Sequence, residues 1–207
     1  MDYLSNVMLD VLKFFYAIGG QNYGLSIIWL TIAVNLALYP LTLISIKQMA
    51  AMQKVQPRMK ELQKKYKDEP TKLQQEIMAL YKSEKVNPLG GCLPVLLKIP
   101  FFLALFFALQ SKEFLAIAAS SQFLWMTNIV KPDPTYIMIV LIGLSTWLSQ
   151  KSMPTSPDQN QMMLIIMPFF IAFISISFPA GVQIYWVISN LMGWVQQEYI
   201  LRKKVNA

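Results

Sequence analysis

The feature that most constrains this chain is a charge-free apolar segment, residues 24–46, which is followed by four further apolar runs. A helix needs about 20 apolar residues to cross the hydrocarbon core of a bilayer. Charged residues make up only 14% of the 207 residues, whereas ordinary soluble domains contain about 25%. The sequence therefore predicts an all-α membrane protein in which these runs are transmembrane helices.

Five segments are predicted to cross the membrane. The first contains Pro40 and is expected to bend there, because proline removes a helical hydrogen bond. Two of the others, residues 136–150 and 162–178, are short for a full span, and short spans can thin the bilayer locally. The predicted spans are residues 21–46, 92–110, 136–150, 162–178 and 180–201.

The N-terminal segment, residues 1–20, has mixed composition. Leu4, Met8, Leu12 and Phe15 can share one helix face, which predicts an amphipathic helix lying in the membrane interface. A frayed N terminus is the alternative. The remaining connecting segments are an extracytoplasmic loop, a short cytoplasmic loop and a basic tail, at residues 111–135, 151–161 and 202–207.

Residues 47–91 are polar and contain no spanning run. Apolar side chains from Met52 to Tyr66 alternate in steps of three and four, the pattern of a coiled-coil seam, and Pro70 then begins a second helix. We predict an antiparallel helical hairpin in water, which acts as a mobile lid or receiving arm. Its predicted hinge positions are Pro57, Gly90 and Gly91.

Positive charge is concentrated on one side of the predicted membrane. The hairpin carries ten Lys or Arg and five Asp or Glu, and the tail adds three basic residues. The opposite side carries only Lys13, Lys112 and Lys131. Cytoplasmic loops are enriched in Lys and Arg. The charges therefore predict a cytoplasmic hairpin and C terminus, with the N terminus outside.

Three predicted spans carry polar side chains at helical spacing. Polar groups are costly in hydrocarbon unless they are paired or hydrated. These stripes can line a shared wet cavity, or they can form hydrogen bonds between packed helices. Lys98 lies close enough to its span end to extend to the headgroups. The candidate groove residues are Thr31, Asn35, Thr42, Thr146, Gln150, Gln183, Trp186 and Asn190.

The composition excludes several kinds of chemistry. The chain has no histidine and only one cysteine, Cys92, so it lacks the usual general base and cannot form an internal disulfide. It also lacks a glycine-rich phosphate-binding loop followed by lysine. We therefore predict no catalytic site, metal or cofactor, and expect the net charge of +7 to attract anionic lipid rather than a specific nucleic acid.

Three motifs occur in order along the chain: Tyr39-Pro40-Leu41-Thr42, Asn87-Pro88-Leu89-Gly90-Gly91-Cys92 and Phe178-Pro179-Ala180-Gly181. Together with neighbouring segments they resemble the YidC family of membrane protein insertases, which has mitochondrial and chloroplast relatives. The resemblance covers nearly the whole chain after about residue 20. Gram-negative members also carry an additional first span and a large periplasmic domain, which are not in this sequence.

The resemblance implies a five-span core in the bacterial inner membrane, with a hydrophilic groove open to the cytoplasm and to lipid. It implies that client membrane proteins and the bilayer are partners, with the Sec translocon and the ribosome as further candidates. Many bacterial members place an arginine, expected to attract acidic client residues, where this chain has Asn35. A membrane channel or transporter is the alternative function, although inverted repeats or paired ionisable groups, often found in transporters, are missing here.

Overall fold

The structure is a computed structural model that describes residues 2–87, 93–153 and 157–205. Every named element in these ranges is a helix, which confirms the predicted all-α class. The only β pairing in the same ranges is an isolated bridge between Phe123 and Met126. The helices are α1 (Asp2–Ile18), α2 (Tyr23–Ala37), α3 (Tyr39–Lys65), α4 (Pro70–Ser83), α5 (Leu93–Leu109), α6 (Lys112–Ile117), α7 (Ile137–Lys151), α8 (Pro157–Ser175) and α9 (Ala180–Val205).

No single helix in the described ranges combines the length and the apolar composition that a membrane crossing requires. Helices α2 and α3 meet this requirement only together, and they are bent by 60° relative to each other. The bend lies at Leu38, and Pro40 occupies the first turn of α3, where it has no amide hydrogen to donate to the preceding turn. This confirms the expected kink at Pro40. Helix α3 then continues through Pro57 to Lys65.

Helix α9 lies at the centre of the bundle, where it contacts α2, α3, α5 and α7. Helix α8 packs against α7. Fully buried apolar side chains fill the spaces between these helices, among them Ile27, Leu105, Ile142 and Val182. This packing brings the polar side chains of α2, α5 and α7 close to those of the central helix α9.

Helix α1 packs against α2 and α5, and Met8, Leu9 and Leu12 are buried. On its other side Phe14 and Ile18 are exposed. The predicted N-terminal helix is thus present, and one of its faces is part of the bundle core. Its location in the membrane interface stays a prediction.

Helices α3 and α4 contact each other along their sides. The Tyr81 hydroxyl donates to Met59 Sδ over 3.2 Å, and the Asn87 amide donates to Gln48 Oε1 over 3.3 Å. Met59, late in α3, thus contacts Tyr81 of α4, whereas Gln48, early in α3, contacts Asn87 beyond the end of α4. The two helices therefore run antiparallel. The predicted hinge residues Gly90 and Gly91 lie outside the described residues.

The segment 111–135, predicted to be a loop, contains the six-residue helix α6. The Ser111 hydroxyl caps this helix by accepting the Phe114 amide hydrogen over 3.1 Å. Phe114 itself is fully buried, and Glu113 forms an ion pair with Lys13 of α1. Burial of one aromatic side chain therefore stabilises a helix too short to form on its own.

The rest of this segment closes one end of the bundle. A Cβ atom at Gly24 would lie 2.2 Å from Cγ of Phe123, so only glycine permits this close approach. The carbonyls of Lys131 and Ile129 accept hydrogen bonds from the amides of Ala180 and Gly181, each over 2.8 Å. These bonds satisfy N-terminal amides of α9 that have no partner within the helix.

Asp133 is a buried carboxylate that organises the start of α7. Its Oδ2 accepts from the Met138 amide over 2.9 Å and from the Trp125 indole over 3.3 Å. Its Oδ1 accepts from the amide and the hydroxyl of Thr135, over 3.0 and 2.7 Å. Burial alone would raise the pKa of Asp133, but these hydrogen bonds to the charged form lower it below the ordinary value of 3.8.

We expect Asp133→Asn to lower the unfolding free energy at neutral pH by about 1–3 kcal/mol, because the new amide nitrogen cannot accept hydrogen bonds. The lowered pKa makes the carboxylate stabilising above about pH 4, and this contribution disappears as the pH falls through the folded-state pKa. The difference in melting temperature between wild type and variant should therefore shrink in acid. Asp10→Asn, at an exposed site on α1, is the control; a pH-independent difference for Asp133→Asn would contradict the assignment.

Candidate functional site

Polar contacts between three helices meet at Asn35 of α2, whose side chain is 1% exposed. Its amide nitrogen donates to the Thr31 carbonyl over 2.8 Å. Lys98 of α5 donates from Nζ to Asn35 Oδ1 over 2.8 Å, and Gln196 of α9 donates from Nε2 to the Asn35 carbonyl over 3.1 Å. Asn35 therefore joins α2, α5 and α9 through side-chain hydrogen bonds.

Lys98 does not follow the expectation from the sequence. It was expected to extend toward the headgroups, whereas its partly buried ammonium group binds Asn35 inside the bundle. Within the described part of the chain, no carboxylate lies within ion-pair distance of it. In the sequence, Lys98 is a single basic residue inside an apolar run. This pattern is compatible with an ammonium group at the headgroups and with one inside the bundle.

A cavity of about 230 Å³ lies between α5 and α9, next to this cluster. The Trp186 ring stands edge-on to Phe102, with ring centroids 5.4 Å apart. The cavity volume is below the range of about 300–1,000 Å³ that typical small-molecule sites enclose. Its lining consists of Lys98, Ile99, Phe102, Tyr185, Trp186, Ser189 and Asn190.

Of the predicted groove residues, Trp186 and Asn190 line this cavity. The Asn190 amide also donates to Thr146 Oγ1 over 2.8 Å and to Ser145 Oγ over 3.3 Å. Asn190 thus connects the cavity wall on α9 to α7. Thr146 is buried, and its bond with Asn190 is a hydrogen bond between packed helices, one of the two roles predicted for the polar stripes.

Three other predicted groove residues form hydrogen bonds away from the cavity, one of them to a different helix and two within their own helical segments. Gln183 donates from Nε2 to the Ser175 carbonyl at the end of α8 over 2.8 Å. The Thr31 hydroxyl donates to the Ile27 carbonyl and the Thr42 hydroxyl donates to the Leu38 carbonyl. In both cases the acceptor lies four residues earlier in the same helical segment. None of the three lines the cavity described above.

Several buried amide oxygens accept no hydrogen bond from the described residues. An unsatisfied buried polar atom costs about 1–3 kcal/mol, and these oxygens retain the capacity to accept a hydrogen bond. Two of the four belong to Gln196 and Gln197, which the candidate groove set omitted, although adjacent glutamines in an apolar helix are an unusual signal. The four atoms are Oε1 of Gln150, Gln183, Gln196 and Gln197.

The described residues contain no group of three or more Cys, Asp or Glu side chains that could hold a metal ion. The cluster around Asn35 instead offers amide groups and one ammonium group. Such groups can form hydrogen bonds and attract anions. The groups at this site can therefore bind polar groups non-covalently inside an apolar bundle.

A family model described as 60Kd inner membrane protein matches residues 14–207. The membrane protein insertase YidC of Geotalea daltonii is 40% identical over 198 residues, which are 95% of this chain and 37% of that protein. The YidC insertase of Syntrophus aciditrophicus is 41% identical over 201 residues, or 97% of this chain and 36% of that protein.

A crystal structure described as active YidC insertase with the first transmembrane domain resolved has a similar fold. The TM-score is 0.77 at 26% sequence identity, and the match covers 94% of this chain and 45% of that chain. This chain thus spans less than half the length of the relatives that it matches. On the family match over residues 14–207, the chain belongs to the 60Kd inner membrane protein family, which includes bacterial YidC insertases.

Proposed function

We propose that this chain is a membrane protein insertase, which promotes the entry and folding of client transmembrane segments without chemical catalysis. The observation that carries the proposal is the cluster of buried Asn35 and Gln196 with partly buried Lys98, which lies between apolar helices beside a cavity. The names of the matching relatives support the same function.

The proposed mechanism lowers the barrier to insertion by solvating the client's polar flank. A charged side chain at the centre of a membrane helix costs about 2.5–3.5 kcal/mol on insertion scales. Amide groups of Asn35, Gln150 and Asn190, with the indole of Trp186, would provide hydrogen bonds along the path. Thr146 and Gln183 would contribute through hydrogen bonds between helices, whereas Thr31 and Thr42 bond to carbonyls four residues earlier in their own helical segments.

Local thinning of the bilayer would shorten the apolar path further. Helix α7 contains 15 residues, which extend over about 22 Å at 1.5 Å per residue. The hydrocarbon core of a bilayer is about 30 Å thick. A helix of this length leaves a mismatch that lipids accommodate by thinning, and a client beside it would cross less hydrocarbon.

The proposed topology has five spans in the bacterial inner membrane, with the N terminus outside and the C terminus in the cytoplasm. The antiparallel segment of α3 and α4 would lie in the cytoplasm, which agrees with its excess of basic residues. Client membrane proteins and the lipid bilayer are the proposed partners. The Sec translocon and the ribosome are further candidates for the basic hairpin surface.

Proteoliposomes test this function directly. We expect the purified protein to increase protease protection of a short single-span client several-fold over protein-free liposomes, because the groove lowers the insertion barrier. The same vesicles should retain a small dye, since the proposed groove opens to the cytoplasm and to lipid, is closed on the outer side, and therefore does not conduct. Protection equal to that of protein-free liposomes, with the protein shown to be folded, would contradict the proposal, and dye leakage would favour a channel.

A further inference from the structure

We infer that the turn at residues 123–126 is a lipid anchor, whose tip residues Leu124 and Trp125 insert into the outer leaflet of the bilayer. The anchor fixes the depth of the bundle's outer end. The inference goes beyond the proposed insertase function and rests on the proposed topology, in which this end faces outside. It places part of segment 111–135 at the membrane surface instead of in water.

The first argument is the composition of this segment. Residues 114–130 include no charged side chain, although loops in water are normally polar. Three apolar side chains in the same stretch, those of Leu115, Ile117 and Leu124, are exposed. Exposed apolar surface of this kind indicates contact with lipid or with another protein.

The second argument is the backbone of the turn. Phe123 and Met126 exchange backbone hydrogen bonds of 2.9 Å in both directions, which leaves Leu124 and Trp125 as the two tip residues. Leu124 has a φ of 54°, in the left-handed region that two-residue turns normally fill with glycine or asparagine. The side chain of Leu124 is nevertheless 73% exposed. An unfavourable backbone conformation thus presents a large apolar side chain outward, where burial in lipid would compensate the strain.

The third argument is that both sides of the turn are fixed to the bundle. Phe123 packs so closely on Gly24 of α2 that a Cβ atom there would lie 2.2 Å from the ring. The Trp125 indole donates to Asp133 Oδ2 over 3.3 Å, and the same oxygen accepts from the Met138 amide at the start of α7. The turn is therefore held beside the first turn of α7, where that predicted span enters the membrane.

Lipid is the occupant that these groups favour. Tryptophan is enriched at the interface between membrane and water. The bond to Asp133 satisfies the indole donor, so the Trp125 ring can leave water without losing a hydrogen bond. Exposed Ser120, Gln122 and Thr127 suit the headgroup region better than the hydrocarbon core. The uncharged stretch also lacks the charges by which protein partners are usually selected.

Spin labels measure the depth of this turn in phospholipid nanodiscs, which leave both membrane faces in water. A label on Leu124→Cys in the Cys92→Ser chain is compared for collisions with oxygen, which concentrates in lipid, and with a polar nickel complex. Phe173→Cys on the exposed face of α8 is the lipid reference, and Lys67→Cys between α3 and α4 is the water reference. We expect the oxygen-to-nickel ratio at position 124 to exceed that at position 67 several-fold.

A second measurement places the label on Thr127→Cys and changes only the tip of the turn. Asparagine adopts the left-handed conformation more readily than leucine, so Leu124→Asn should preserve the fold while it removes the apolar side chain. The oxygen-to-nickel ratio at position 127 should then fall toward the water reference. Leu124→Met, which keeps an apolar side chain, is the matched control and should leave the ratio unchanged.

A water-like ratio at position 124, with a lipid-like ratio at position 173, would overturn the inference and leave the proposed topology intact. An unchanged ratio at position 127 in folded Leu124→Asn would also overturn it. A water-like ratio at position 173 would contradict the topology and the inference together. Insertion plays no part in these measurements, so failure of the protease-protection assay would contradict the proposed insertase function alone.

Discussion

We expect Asn35→Arg to lower the stability of the folded protein sharply, and Lys98→Gln in the same chain to restore most of it. Asn35 is 1% exposed and its Oδ1 lies 2.8 Å from Lys98 Nζ. Arginine at this position would bring a second cation against the ammonium group. Two like charges 4 Å apart repel by about 4 kcal/mol at an effective dielectric constant of about 20. We expect Asn35→Arg to lower the unfolding free energy by about 3–5 kcal/mol.

The measurement is thermal unfolding in detergent of wild type, Asn35→Arg, Lys98→Gln and the double variant. These four proteins form a double-mutant cycle, which isolates the coupling between the two positions. Lys98→Gln alone should cost about 1 kcal/mol, since glutamine can still donate to Asn35. A double variant as unstable as Asn35→Arg would contradict the predicted repulsion.

The same reasoning accounts for the asparagine at this position, where the resemblance to the YidC family places an arginine in many bacterial members. A lysine on α5 reaches the cluster from the neighbouring helix. Two cations in contact are unfavourable in a partly buried site. With Lys98 present, a neutral hydrogen-bonding side chain at position 35 is the compatible choice.

Phe114→Ala should cost about 3–5 kcal/mol of unfolding free energy, the range measured for buried aromatic residues. Phe114 has no exposed surface. Its ring stands edge-on to Tyr23 of α2, with centroids 5.2 Å apart. Removing it would leave a cavity between α6 and the bundle and would release the segment that closes that end.

Phe173→Ala is the matched control, because Phe173 on α8 is 72% exposed and its truncation leaves no internal cavity. We expect a change within about 0.5 kcal/mol for this surface substitution. Thermal unfolding of both variants in the same detergent makes the comparison. Equal losses for the two would mean that Phe114 does not hold α6 against the core.

Local sequence patterns were sufficient for the long helices of the bundle and for the bend. Apolar runs identified the segments that became α2, α5, α7, α8 and α9, and Pro40 identified the bend between α2 and α3. These features depend on neighbours within about four residues, because helical hydrogen bonds and proline effects act over that distance. The same patterns identified Asn35 as a polar residue in an apolar segment.

Contacts between distant segments were beyond those patterns. Lys98 and Asn35 are 63 positions apart, and Lys98 was expected at the headgroups because a flexible basic side chain is compatible with either location. Helix α6 was missed because its stability comes from burying Phe114 rather than from a long amphipathic pattern. Gln183 belonged to a polar stripe, yet its partner is the Ser175 carbonyl of another helix.

The sequence by itself determined that this protein is helical, that its charge is concentrated in a few segments, and which polar side chains lie within apolar runs. The tertiary structure alone decided which of those side chains meet. Asn35, Lys98 and Gln196 form one cluster because the packing of α2, α5 and α9 brings them together. The physical reason is that helix periodicity fixes the face on which a side chain lies, whereas its partner depends on how separate helices pack.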